Sequence, residues 1–154
     1  MVDVGGKRAT ARSALARACV RFPRGVLSRA LAGNGTKGPI AEVARAAGML
    51  AAKRTGELIP MCHPLGLDHV EIRFMAHAGH RDGRTGDVLE IRCRASCRAR
   101  TGVEMEALVG AAVAALTVYD MTKGLEKGIA IERIELLEKR GGRSGTWRRK
   151  VDAP

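Results

Sequence analysis

The sequence predicts an α+β fold, an antiparallel sheet covered by helices in a split βαβ order. Three observations lead there. Residues 70–77 and 89–99 each alternate apolar and polar side chains, and a glycine-rich loop separates them, which is the pattern of a β-hairpin. A further alternating segment stands near the N-terminus, and another follows a long apolar helix. The chain has 154 residues, enough for one domain with a sizeable core, and no repeat or low-complexity tract divides it. A single domain over residues 1–154 with frayed ends is expected.

From Ala16 to Phe22, Ala16, Ala18, Val20 and Phe22 alternate with Arg17, Cys19 and Arg21, a strand closed by Pro23. Arg24 to Ala32 reads as a short helix ended by Gly33-Asn34-Gly35. Ile40 to Arg54 reads as a longer, alanine-rich helix, with Gly48 as the residue that argues against it. Val70, Ile72, Phe74 and Ala76 then face one way and Glu71, Arg73 and His77 the other. The same division separates Leu89, Ile91, Cys93, Ala95, Cys97 and Ala99 from Glu90, Arg92, Arg94, Ser96 and Arg98, with the loop Gly79 to Gly86 between the two strands.

A long helix runs from Gly102 to about Leu125, and Thr101 with Glu104 has the spacing of a capping box at its start. Ile129 to Leu137 is the last strand, with a bulge near Arg133 where the apolar parity shifts. Strand, helices, strand, strand, helix, strand is the ferredoxin-like arrangement with one extra helix.

Apolar residues make up 45% of the chain and aromatics 3%, so Ala, Val, Leu and Ile fill the core. Twenty-seven Lys and Arg against 16 Asp and Glu give a net charge of +11, which attracts phosphate-bearing partners of any kind. The cations are spread over the whole chain. The N-terminus lacks the apolar run of a signal peptide, and the apolar stretch from Ala107 to Tyr119 is shorter than the roughly 20 residues that span a bilayer. With four cysteines and no disulfide framework, a cytoplasmic protein without membrane attachment is expected.

Cys62-His63 together with Cys93 and Cys97 raises the question of a metal. Cys93 and Cys97 lie four residues apart on one strand, about 13 Å at about 3.3 Å per residue. Two thiolates on one zinc sit no more than about 4.6 Å apart, and both cysteines fall in the apolar phase. They read as core, and no metal site is expected.

Cys62-His63-Pro64 follows Ile59-Pro60, and the two prolines forbid regular helix or a central strand there. A rigid loop bearing His and Cys suits proton transfer near neutral pH, and a histidine that merely bonds a neighbouring carbonyl fits equally well.

On the long helix, Glu106, Asp120 and Lys123 stand against an apolar background. Glu104, and in part Glu106, are explained by the helix dipole, which favours acids in the first turn. Asp120 opposes the dipole. Either it forms an i,i+3 salt bridge with Lys123, or the pair works as general base and acid, and the interruption of an apolar run favours the second. Glu106 and Asp120 share one face of the helix to within about 40°, yet lie about 21 Å apart. Between and beyond them stand Gly110, Val113, Thr117 and Gly124. A small ligand served by both carboxylates is therefore more easily bound between two subunits than within one.

The glycine-flanked basic segments 33–38 and 141–145 match no P-loop, but backbone amides beside a cation suit a phosphate. Arg92, Arg94, Arg98 and Arg100 form a basic strand face. This supports a second class of function, a basic RNA-binding ferredoxin-like module, although the aromatic platforms such modules use are missing.

Several of these residues stand in longer motifs. Met1-Val2-Asp3-Val4, Ala51-Ala52-Lys53-Arg54-Thr55, Leu58-Ile59-Pro60-Met61-Cys62-His63-Pro64-Leu65 and Thr101-Gly102-Val103-Glu104-Met105-Glu106-Ala107-Leu108 occur in that order, followed by Ala114-Ala115-Leu116-Thr117-Val118-Tyr119-Asp120-Met121 and Gly141-Gly142-Arg143-Ser144-Gly145. In this combination the chain resembles, nearly end to end, the molybdenum cofactor biosynthesis protein C (MoaC) family of cyclic pyranopterin monophosphate synthases.

The resemblance implies a lyase without a redox cofactor of its own. Such an enzyme converts 3′,8-cyclo-7,8-dihydro-GTP, supplied by a radical-SAM partner enzyme, into cyclic pyranopterin monophosphate and pyrophosphate. It further implies a ferredoxin-like fold and a homohexamer with sites at subunit interfaces, with no nucleic-acid partner. By motif, it implies catalytic roles for Asp120, Lys123, His63 and Lys37. Substrate contacts are implied for Met61, Cys62, His63, Met105, Glu106, Lys53 and Arg143. The chain departs from the family pattern in having Arg143 for the usual lysine, Ala99-Arg100 for Gly-Lys and Gly5 for serine. Arginine holds phosphate but is always protonated, so Arg143 does not transfer protons.

Overall fold

The computed structural model describes residues 1–32, 38–79 and 86–150. Its sheet is antiparallel throughout, with strand order β2-β3-β1-β4-β5. The strands are β1 (Thr10–Phe22), β2 (His69–His77), β3 (Asp87–Ala99), β4 (Ala130–Arg140) and the two-residue β5 (Trp147–Arg148). The first four have the split βαβ order that the sequence predicts, and β5 is an addition at one edge. The described helices are α1 (Val26–Leu31), α2 (Ile40–Lys53), α3 (Thr55–Leu58) and α4 (Glu104–Thr122). The extra helices are therefore two, α1 and the single turn α3, where one is predicted.

Strand β1 begins at Thr10, six residues before the predicted start, over a segment, Thr-Ala-Arg-Ser-Ala-Leu, that has no regular apolar alternation. It lies between β3 and β4, so its inward face is sealed: Ala14, Ala16, Ala18, Val20 and Phe22 are buried. Small alanines there let α4 lie close to the sheet. The bulge predicted near Arg133 is present, since Cys19 pairs with Arg133 but Val20 with Ile131, leaving Glu132 as the extra residue. A second register shift lies between Leu15 and Ala16, and β4 continues to Arg140 rather than ending at Leu137.

Helices α2 and α4 cover one face of the sheet and cross each other at Gly48 and Gly110. A Cβ on Gly48 would stand 2.6 Å from the Gly110 carbonyl oxygen, and one on Gly110 2.7 Å from Cys93 Sγ. Glycine costs a helix about 1 kcal/mol in propensity, but here it allows the close approach. By length and composition α4 could cross a membrane, yet it packs along β1, β3, β4 and α2 as a core helix. Gly110 is buried within the chain, so the stripe beginning there is not wholly a surface for another subunit.

The predicted capping box does not form. Helix α4 starts at Glu104 with Val103 as its N-cap and no side-chain cap. Val103 is buried and sets the entry of the chain, while the Glu104 carboxylate folds over Gly102. The helix ends at Thr122, three residues before the predicted Leu125. Helix α1 is likewise shorter than predicted, because Gly25 takes a left-handed φ of 77° and donates its N–H to Asp87 Oδ2 at 3.0 Å. Cys93 and Cys97 are buried as core residues, and burial pushes the Cys93 thiol up to about 12.

On the open face of the sheet, Arg17 bridges to Glu135 at 2.6 Å and Arg92 to Glu90 at 2.6 Å. Glu90 is 1% exposed. The arginine face read as a possible RNA surface is thus partly spent on internal ion pairs.

Candidate functional site

The turn α3 delivers the chain into the loop Ile59 to Gly66. Cys62 N–H donates to the Ile59 carbonyl at 2.9 Å, closing a tight turn between the two prolines. Pro64 lies against Gly56, where an added Cβ would come within 2.9 Å of the Pro64 Cα. The loop is held from the other side by the N-terminal segment, whose Val2 carbonyl stands 2.8 Å from His63 Nε2. When Nε2 donates to that carbonyl, Nδ1 is left as the basic nitrogen. His63 thus bonds a backbone carbonyl, as the simpler of its two sequence readings has it, and it also borders a cavity.

That cavity, about 560 Å³, is lined by Met61, Cys62, His63 and Met105, with Val2, Val4 and Glu104 completing the wall. The Cys62 thiol donates to Glu106 Oε1 at 3.8 Å. Burial, and next the Glu106 carboxylate, push the Cys62 thiol above its ordinary range. Glu106 is 2% exposed, and burial pushes its carboxyl up. Behind the Cys62–Glu106 contact lies a smaller cavity of about 290 Å³, lined by Glu106, Lys53, Arg54, Pro64 and Leu65 among others.

A third cavity, about 770 Å³, adjoins the His63 cavity through Lys7, Thr101, Gly102 and Glu104. Six cations border it: Lys7, Arg8, Arg12, Arg100, Lys139 and Arg143. The predicted glycine segment forms its rim, with Gly141, Gly142 and Gly145 at positive φ. A side chain on Gly142 would collide with the Arg12 guanidinium. Lys139 donates to Ser144 within the same turn. Four of these cations, Lys7, Arg8, Arg12 and Lys139, were not singled out from the sequence, and Arg100 was read there as part of a basic strand face. The Lys7-Arg8 pair beside the N-terminal motif was the one local signal for any of them.

The structure thus gathers Met61, Cys62, His63 and Met105 around one cavity, Glu106 and Lys53 around its neighbour, and Arg143 at the basic rim. It does not bring Asp120 and Lys123 to them. Those two form an i,i+3 ion pair at 2.7 Å at the far end of α4, with side chains about half exposed. Hydrogen bonding to Asp120 raises the Lys123 ammonium above its ordinary range. Glu106 and Asp120 are about 21 Å apart along the helix, as its length requires. Lys37 lies outside the described residues.

Comparison with known proteins agrees with this arrangement of motifs. Residues 1–142 match the model of the MoaC family. The cyclic pyranopterin monophosphate synthase of Geobacter sulfurreducens is 53% identical over 152 residues, covering 97% of this chain and 90% of the relative. Those of Thermomicrobium roseum and Novosphingobium aromaticivorans are 52% and 51% identical, covering 99% and 96% of this chain and 88% and 89% of the relatives. With a family match over most of its length and relatives at half identity across it, the chain belongs to the MoaC family.

Proposed function

We propose that this protein converts 3′,8-cyclo-7,8-dihydro-GTP into cyclic pyranopterin monophosphate with release of pyrophosphate, an early step of molybdenum cofactor biosynthesis. The observation that carries this reading is the juxtaposition of two cavities. A basin bordered by six cations suits a triphosphate, and it opens onto a pocket where His63, Cys62 and Met105 meet. The relatives named as synthases of that product support the same substrate.

In this reading Arg143 and its neighbours hold the phosphates and favour departure of pyrophosphate. His63 accepts or donates a proton through Nδ1, and Lys37 and Lys53 are further site cations. Asp120 and Lys123 act on the same substrate from a second copy of the chain, which makes the working unit a homo-oligomer, a hexamer with sites at its interfaces. Exposed apolar side chains on α2 and α4, among them Val43, Leu50 and Leu116, support such association. The substrate comes from a radical-SAM partner enzyme, and the reaction proceeds in the cytoplasm with no cofactor of its own.

The test is purified protein with the authentic cyclised substrate and no added metal or reductant. Stoichiometric pyrophosphate and cyclic pyranopterin monophosphate are expected, and their absence overturns the reading. The RNA-binding alternative predicts instead an affinity for RNA that falls steeply with salt and survives Asp120→Ala.

A further inference from the structure

Arg143 reaches the basic basin from a segment that no buried apolar residue anchors. Residues 143–150 are all exposed, and they lie beyond the part of the chain that the family model matches. Ordering such a segment costs backbone entropy, so polar contacts must hold it in place.

On one side the chain lies against β1. Gly141 and Gly142 have φ of 94° and 75°, and a Cβ on them would collide with the Ala11 carbonyl and the Arg12 guanidinium respectively. The Gly145 N–H donates to the Gly142 carbonyl at 3.1 Å, closing a turn around Arg143 and Ser144. On the other side stands a clasp. Strand β5 folds back on the end of β4, with Trp147 opposite Lys139 and Arg148 opposite Glu138. Arg149 extends it, its N–H donating to the Leu137 carbonyl and its Nε to the Leu136 carbonyl, both at 2.8 Å.

Glu138 supplies the carboxylate of this clasp. Its Oε1 accepts from Arg140 Nε at 2.6 Å, and its Oε2 accepts from Arg148 Nε at 2.6 Å and Arg140 Nη2 at 3.2 Å. The Glu138 side chain is 12% exposed, whereas both arginines are half exposed or more. The hydrogen bonds from Arg140, and next from Arg148, outweigh burial and hold the Glu138 carboxyl below its ordinary range. A single exposed ion pair contributes little, but a carboxylate shared by two guanidiniums across a strand pair fixes geometry. Glu138 lines none of the three cavities, whereas Lys139, Gly142, Arg143 and Ser144 all line the basin.

We propose that Glu138 is a positioning residue for phosphate binding. By holding Arg148 it closes the β4–β5 clasp, and the closed clasp fixes the loop that presents Arg143 to the basin. The identity of the phosphate-bearing ligand rests on the proposed function.

Calorimetric titration of the full-length protein with inorganic tripolyphosphate tests this. Glu138→Ala is expected to bind about tenfold more weakly than wild type, as is Arg143→Ala. The double variant is expected to match Arg143→Ala within about twofold, since Glu138 acts through Arg143. Charge alone gives the opposite sign, because removing a carboxylate beside a cationic basin favours an anion. Trp147 is the single tryptophan of the chain, so acrylamide quenching of its emission reads the clasp directly and is expected to rise in Glu138→Ala. Unchanged quenching, unchanged or tighter binding, or an equal loss in the Arg143→Ala background overturns the inference and leaves the proposed function standing. Should Glu138→Ala fail to fold, Glu138→Gln keeps an acceptor oxygen and is expected to lose about threefold, again only where Arg143 is present. Absence of that loss overturns the inference equally. If the wild type binds no tripolyphosphate, the same variants are compared in KM for the cyclised substrate, where a rise with kcat spared is expected and a fall confined to kcat overturns the inference. Absence of turnover by the wild type overturns the proposed function, and this inference with it.

Discussion

The Cys62 thiol and the Glu106 carboxyl meet at 3.8 Å, which ties the loop before β2 to the first turn of α4. The contact joins two of the three eight-residue motifs of the chain and lies between two cavities. It also buries a carboxyl group, with consequences for stability.

Burial raises the Glu106 carboxyl above its ordinary range, partly opposed by local hydrogen bonds that include the one from Cys62. A carboxyl raised in the folded state is held preferentially in its protonated form. Its stabilisation is complete below the ordinary carboxylate range and is lost as pH climbs through the raised value. Thermal melts from about pH 4 to about pH 8 should show wild type losing more stability than Glu106→Gln, whose amide does not titrate. Parallel curves for the two proteins would contradict the burial of this group.

Gly48→Ala should destabilise the fold by roughly 1–3 kcal/mol, although alanine is the better helix former. The added methyl would meet Ile72, the Gly110 carbonyl and Ala114 at the crossing of α2 and α4. In urea unfolding the midpoint falls with the slope unchanged. A rise in stability would mean the two helices are not packed this closely.

Arg143→Ala should raise KM roughly tenfold or more while sparing kcat, since the guanidinium holds phosphate at the rim of the basin. Arg143→Lys recovers most of the loss, because a point charge serves a phosphate among five further cations. Steady-state kinetics of pyrophosphate release reads both. A fall confined to kcat in Arg143→Ala would assign the residue to the chemical step instead.

Asp120→Ala should abolish turnover while leaving the thermal midpoint unchanged, because the Asp120–Lys123 pair is exposed. His63→Ala should likewise be inactive. When the two inactive variants are mixed and allowed to exchange subunits, partial activity is expected, since some hybrid sites regain both residues. Failure to recover activity after exchange has been demonstrated by mass spectrometry would place both residues of one site on one chain.

Periodicity made much of the fold readable. Val70 to His77 and Leu89 to Ala99 alternate cleanly because one sheet face is buried, and the displaced parity near Arg133 revealed the bulge at Glu132. The start of β1 was hidden because small and polar residues serve a central strand as well as apolar ones when a helix lies close. Thr101 and Glu104 had capping spacing, yet burial of Val103 set the helix entry instead. On the candidate site, the rigid prolines around Cys62-His63 were a local signal, whereas the interrupted apolar run at Asp120 marks a residue that one chain keeps at the far end of α4, paired with Lys123.

Which elements form, which faces are apolar and which short motifs carry reactive side chains were determined by the sequence itself, through local sterics and periodicity. Which cations share a basin was decided only by tertiary structure. Arg12, Arg100 and Lys139 are distant along the chain, and strand register assembles them, with Thr10 opposite Ala99 and Ser13 opposite Arg140. Glu106, which the helix dipole explained only in part, is likewise buried by packing against Cys62, with one oxygen lacking a donor among the described residues. Charge and burial depend on distance in three dimensions, and spacing along a chain carries that distance only within a single helix or strand.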